Sequence, residues 1–96
     1  MSAISVLLIE DEPGLVLTLT DLLSAKGYAV TNAADLASAE AAVASGGHDV
    51  ILLDLMLPGG SGLDLLKAMR SRGDATPLLV LTAKADVTDR VEGLRL

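Results

Sequence analysis

Residues 49–66 read DVILLDLMLPGGSGLDLL. Asp54 stands among apolar residues at the end of what reads as a buried strand, and a proline–glycine turn follows. An ionised carboxylate without partners is costly to bury. The rest of the chain must therefore bring other groups to Asp54, and the strand must end where a pocket begins.

Working outward, apolar runs and helical patterns alternate. ISVLLI (4–9) is a continuous apolar run that ends in Glu10-Asp11-Glu12, and Pro13 suits the first turn of a helix. Leu15, Leu19, Leu22 and Leu23 share one helix face, and Lys26-Gly27 close that helix. YAVTN (28–32) is a second strand. Asp35 can cap a second helix whose buried side is Leu36, Ala39 and Val43, and Gly46-Gly47 end it. After the third strand (49–54), Ser61 offers a cap with Asp64 as its capping-box partner. Leu63, Leu66 and Met69 line the third helix, which stops at Gly73. PLLVLT (77–82) is the fourth strand, and a last helix starts near Asp86 with Val87, Val91 and Leu94 on one face. This alternation predicts an α/β domain with a parallel sheet. Continuous apolar strands imply helices on both of its faces.

Composition narrows the function classes. The 96 residues make one small domain. With no cysteine there are no disulfides or thiolate metal sites, which fits a cytoplasmic address. No apolar run has the roughly 20 residues of a membrane span. A net charge of −6 disfavours nucleic acid and anionic membranes as partners.

In open parallel sheets, ligands sit outside the carboxyl ends of the strands. There the first strand delivers Glu10 and Asp11, the third Asp54 and the fourth Thr82. If strands one and three are neighbours, three carboxylates crowd one pocket and call for a cation. Hard oxygen ligands without His or Cys suit Mg²⁺. An aspartate beside such an ion can attack a phosphoryl group and form an aspartyl phosphate. The Gly59–Gly62 loop leaves room for backbone to approach. Glu12 is expected in first-turn or capping duty, the Met56 side chain in packing, and His48 on the surface of a turn.

These pieces, LLIEDEP, ILLDLMLPGGSGLDLL and PLLVLTAKAD, resemble the receiver domain of two-component response regulators, in order and along the whole chain. The resemblance implies a flavodoxin-like doubly wound sheet, of which this chain carries four strands and four helices. It implies that Asp54 is the phosphoacceptor and that Glu10 and Asp11 hold Mg²⁺ together with Asp54 and the Met56 backbone carbonyl. Thr82 is implied as the switch hydroxyl and the Ala83 backbone N–H as a phosphate donor. The implied partner is a sensor histidine kinase. The final segment, DRVEGLRL, is most like the subclass joined to a winged-helix DNA-binding domain. The family pattern continues into a fifth strand bearing a lysine and then a fifth helix. Residues 1–96 read as a receiver lacking that unit and any output domain, and Lys84 does not match the family's lysine. The expected consequences are an exposed edge along LLVL, an uncovered apolar face of the sheet beside the first helix, and completion of the sheet by a second copy, through exchange or edge pairing. The competing expectations are a receiver-like interaction module that takes no phosphoryl group and an inactive fragment of a longer regulator. A haloacid-dehalogenase-type phosphatase is disfavoured, because Met56 stands where its second aspartate belongs.

Overall fold

A computed structural model of the chain describes residues 3–81. Strand β1 (Ser5–Ile9) is followed by helix α1 (Pro13–Ala25), β2 (Ala29–Ala33), α2 (Leu36–Ser45) and β3 (Val50–Asp54). A short hairpin, β4 (Met56–Leu57) and β5 (Gly60–Ser61), leads into α3 (Gly62–Ser71) and β6 (Leu78–Leu81). The four longer strands pair in parallel in the order β2-β1-β3-β6. This is the α/β, flavodoxin-like arrangement the sequence implies, and β6 is the expected fourth strand. The expected helix from Asp86 lies outside the described residues.

Side chains alternate across a pleated strand, so the sheet has two distinct faces. Leu7, Ile9, Ile51 and Leu53 point to the side where Ala39 and Val43 of α2 meet Leu65, Leu66 and Met69 of α3. Helix α1 lies on the other side, where Val16, Leu17 and Thr20 border Asn32. Only β1 is enclosed on both faces from Val6 onward; β3 alternates between buried and half-buried positions. Helices stand on both faces, as expected, although β2, β3 and β6 keep positions that are not fully buried. No residue of α1 is buried, and Leu22 is 56% exposed. Among the described residues α1 packs on β2 and has no helical neighbour on its face. No described helix is long and apolar enough to cross a membrane.

Helix starts follow the sequence closely. Glu12 caps α1, its carboxylate accepting from the Gly14 and Leu15 N–H groups at 3.1 and 2.6 Å. Asp35 caps α2 through the Ser38 N–H at 2.8 Å, and bonding to the Ser38 hydroxyl and N–H holds its carboxyl below the usual range. Ser61 caps α3, accepting from the Leu63 N–H at 3.1 Å. That bond goes to the second helical residue, so the expected reciprocal capping box with Asp64 gives way to a simple cap. His48 is also corrected. It is half-buried, its Nε2 is enclosed without a partner, and its Nδ1 lies 3.5 Å from the Ser5 hydroxyl.

Candidate functional site

The parallel register decides which chain ends meet. Ile9 pairs with Leu53 across β1 and β3, so Glu10 and Asp54 leave adjacent strands at the same level. One carboxylate oxygen each from Glu10, Asp11 and Asp54 lies within 4.8 Å of the others. The conditional step in the sequence reading, that strands one and three are neighbours, is met.

The three carboxylates have different surroundings. Glu10 is only 3% exposed, and its Oε2 accepts from the Asp11 N–H at 2.9 Å and the Glu12 N–H at 3.1 Å. Burial pushes its carboxyl above the ordinary glutamate value, and the neighbouring Asp54 charge adds to this. Those two N–H groups oppose the rise without cancelling it. Among the described residues, none of the groups acting on Glu10 is a cation. Asp11 is exposed. It borders one cleft of about 450 Å³ with Leu55–Pro58, Gly60 and Ser61, and a second of about 420 Å³ against α1. Asp54 is half-buried, and its Oδ1 accepts the Met56 N–H at 3.0 Å.

The chain after Asp54 turns back on itself by local chemistry. Pro58 fixes one φ, and Gly59 supplies φ +92°, the pairing that a type II turn demands. The resulting β4–β5 hairpin was read from sequence only as a loop. The Pro58 carbonyl accepts the first N–H of α2, from Leu36, at 3.1 Å, which moors the hairpin. Met56 projects outward at 67% exposure, correcting the expectation that its side chain packs. At Gly62 a Cβ would stand 2.5 Å from the Asp54 carbonyl oxygen and 2.9 Å from Leu53 Cδ1. Only glycine lets α3 begin against the back of the Asp54 strand.

Chemically, clustered hard oxygens that repel one another, with no cation acting on Glu10 among the described residues, fit a small divalent ion. Glu10, Asp11 and Asp54 could hold Mg²⁺. Thr82 and Ala83, the expected phosphate contacts, lie outside the described residues, as does Lys84. Sequence reasoning missed Asn32. Its Nδ2 faces the carbonyl oxygens of Leu8, Glu10 and Ala33 at 2.9, 3.2 and 3.5 Å. A polar residue ending a strand was the only signal for it, and only the register reveals what it faces.

Residues 6–96 match the family model described as the response regulator receiver domain. Transcriptional regulatory protein TcrA of Mycobacterium tuberculosis is 40% identical over 94 residues, which cover 98% of this chain and 37% of TcrA. The chain spans about two fifths of the length of the curated relatives it matches. A solved receiver domain of sensor histidine kinase PA1611 from Pseudomonas aeruginosa superposes with TM-score 0.85 at 30% identity. The match covers 98% of this chain and 79% of that one, and that structure holds a magnesium ion in its active site cleft. A chain from the complex of histidine kinase ThkA with response regulator protein TrrA matches with TM-score 0.77 at 28% identity. That match covers 93% of this chain and 78% of the other.

Proposed function

The chain belongs to the response regulator receiver domain family, and from that premise we propose that it is a signalling switch phosphorylated on Asp54 by a sensor histidine kinase. The observation that carries the proposal is the convergence of Glu10, Asp11 and Asp54 from two neighbouring strands. An Asp54 carboxylate oxygen bonds to the phosphorus while the bond from phosphorus to the donor imidazole nitrogen breaks. That nitrogen keeps the electron pair. The product is an aspartyl phosphate on a protein that accepts the group rather than turning over substrate.

Glu10, Asp11, Asp54 and the Met56 backbone carbonyl would hold Mg²⁺, which when bound offsets negative charge on the transferring oxygens. The Met56 N–H, already on Asp54 Oδ1, keeps the carboxylate from rotating freely and leaves its other oxygen for attack. The Thr82 hydroxyl and the Ala83 N–H are proposed as donors to the phosphoryl oxygens. The magnesium in the PA1611 receiver and the kinase in the ThkA–TrrA complex support the choice of cofactor and partner. A cytoplasmic setting belongs to the same proposal, because a histidine kinase draws its phosphoryl group from nucleotide there. The name of TcrA supports gene control as the response served. With a net charge of −6, this chain is not itself proposed to bind nucleic acid. Pairing of a second copy along β6 is also proposed, supported by the place of β6 at the end of the described strand order. A single monomeric boundary in sedimentation would overturn that part.

The test is the intact mass of the chain after incubation with acetyl phosphate. One added phosphoryl group is expected with Mg²⁺, none without it, and none in Asp54→Asn. Uptake retained in Asp54→Asn moves the acceptor elsewhere. No uptake by the folded unsubstituted chain leaves an interaction module in place of a switch.

A further inference from the structure

We infer that Asn32 is a positioning residue for the acidic pair: its side-chain amide pins the peptide group that joins Glu10 to Asp11. The inference rests on the metal-binding reading of that pair.

Asn32 sits in β2, directly opposite Leu8 in the parallel register. From there its side chain reaches the end of β1. All three of its close partners are carbonyl oxygens, which only accept hydrogen bonds. The atom facing them must therefore be the NH₂ group. Its two hydrogens serve the nearer pair, the Leu8 and Glu10 oxygens.

The Glu10 carbonyl and the Asp11 N–H belong to one peptide group, and that group is planar. Asn32 holds its oxygen end. Glu10's own carboxylate holds its N–H end at 2.9 Å. On the other side of Glu10, its N–H donates to the Ala33 carbonyl at 3.0 Å. With both ends of the plane fixed the Asp11 Cα is held in place, and the Glu12 N–H, also on Glu10 Oε2 at 3.1 Å, ties down the following peptide, so the two together limit the direction in which the Asp11 side chain leaves the backbone. Such support matters more for the exposed Asp11 than for the buried Glu10. Without the amide, the Glu10 carbonyl turns to solvent and the Asp11 carboxylate samples positions away from Glu10 and Asp54. The charge of the pocket stays the same, so any effect on a cation comes from geometry alone.

Two variants test this. Asn32→Leu keeps most of the volume and removes both donors, whereas Asn32→Gln keeps the donors. The first readout, on metal-free protein, is hydrogen exchange at the Asp11 and Glu12 amides. The second is the Mg²⁺ dissociation constant from calorimetry. Asn32→Leu is expected to speed exchange at those two amides and to weaken Mg²⁺ binding about 3- to 10-fold, the worth of one net hydrogen bond. Protection at Leu7 and Leu8 should stay, and Asn32→Gln should recover most of the loss. Unchanged exchange at Asp11 and Glu12 overturns the inference whatever the metal titration shows. So does an equal loss of protection along all of β1, which would make Asn32 a strand-stabilising residue only. An unsubstituted chain that takes up no Mg²⁺ overturns the metal reading instead, and the exchange result still decides the pinning.

Discussion

At Glu10, burial and the Asp54 charge hold a proton on while two backbone N–H groups favour its loss, and burial is the strongest of these influences. The result is a carboxyl raised above its ordinary value of 4.5. The sign follows from linkage. The folded state keeps this proton to a higher pH than the unfolded chain does. The stability it contributes is therefore complete below 4.5 and lost as pH rises through the raised value. A divalent ion reverses that loss by favouring the ionised form. Protons and Mg²⁺ should thus compete at Glu10 above the normal glutamate range. Calorimetric titrations at neutral and mildly acid pH should show Mg²⁺ affinity falling as pH drops, with more protons released on binding at the lower pH. Asp11→Asn removes one of the three charges without crowding the site, and should weaken Mg²⁺ binding roughly tenfold or more. An unaltered titration in that variant would remove Asp11 from the pocket.

Between elements, the decisive contact is the one α3 makes with β3. The helix begins at Gly62, whose N–H donates to the Leu55 carbonyl at 2.9 Å. Its missing side chain lets the Asp54 carbonyl stand directly behind it. Neither obstacle to a larger residue can yield cheaply, since one is backbone and the other a fully buried leucine, Leu53. Gly62→Ala should therefore cost about 1–3 kcal/mol of stability through overpacking. It should also displace the end of β3 at Asp54. Ser61→Ala, one residue earlier, should cost only about 1 kcal/mol, the value of a lost cap. Urea denaturation of the two variants side by side checks the ordering. Equal costs would mean that the close approach at Gly62 relaxes freely.

For the molecule as a whole, the two faces of the sheet differ in how firmly they are closed. The side of α2 and α3 holds a continuous core in which Met69 and Leu66 are essentially without exposure. The α1 side leaves Leu15, Leu17 and Leu22 in contact with water. Truncations should expose this asymmetry. Met69→Ala is expected to destabilise by about 2–5 kcal/mol, because a cavity forms where nothing collapses to fill it. Leu22→Ala should stay within about 0.5 kcal/mol. A large loss at Leu22 would show that the α1 face is covered in solution, and thermal melts of both variants decide the matter. The open face also bears on pairing with a second copy, since exposed leucines on α1 and at Leu79 are the surfaces that association would shield.

The sequence by itself determined the local structure. Apolar runs set four parallel strands, and Glu12, Asp35 and Ser61 were legible as caps because a cap is a contact with the next few residues. The candidate pocket was legible as well, since the ends of parallel strands fall on one edge and the acidic residues stood at those ends. Tertiary structure decided what depends on residues far apart in the chain. The pairing of β1 with β3 turned a conditional meeting of Glu10, Asp11 and Asp54 into a cluster, and it made Glu10 the buried member. The register of β2 carried the Asn32 amide to the Glu10 carbonyl, 22 residues away in the chain. The α1 leucines share one helix face, as their spacing says, but spacing does not set how far each is exposed: Leu22 is 56% exposed while Leu19 and Leu23 are half-buried. Periodicity states which side of an element is apolar; burial depends on neighbours brought by the rest of the fold.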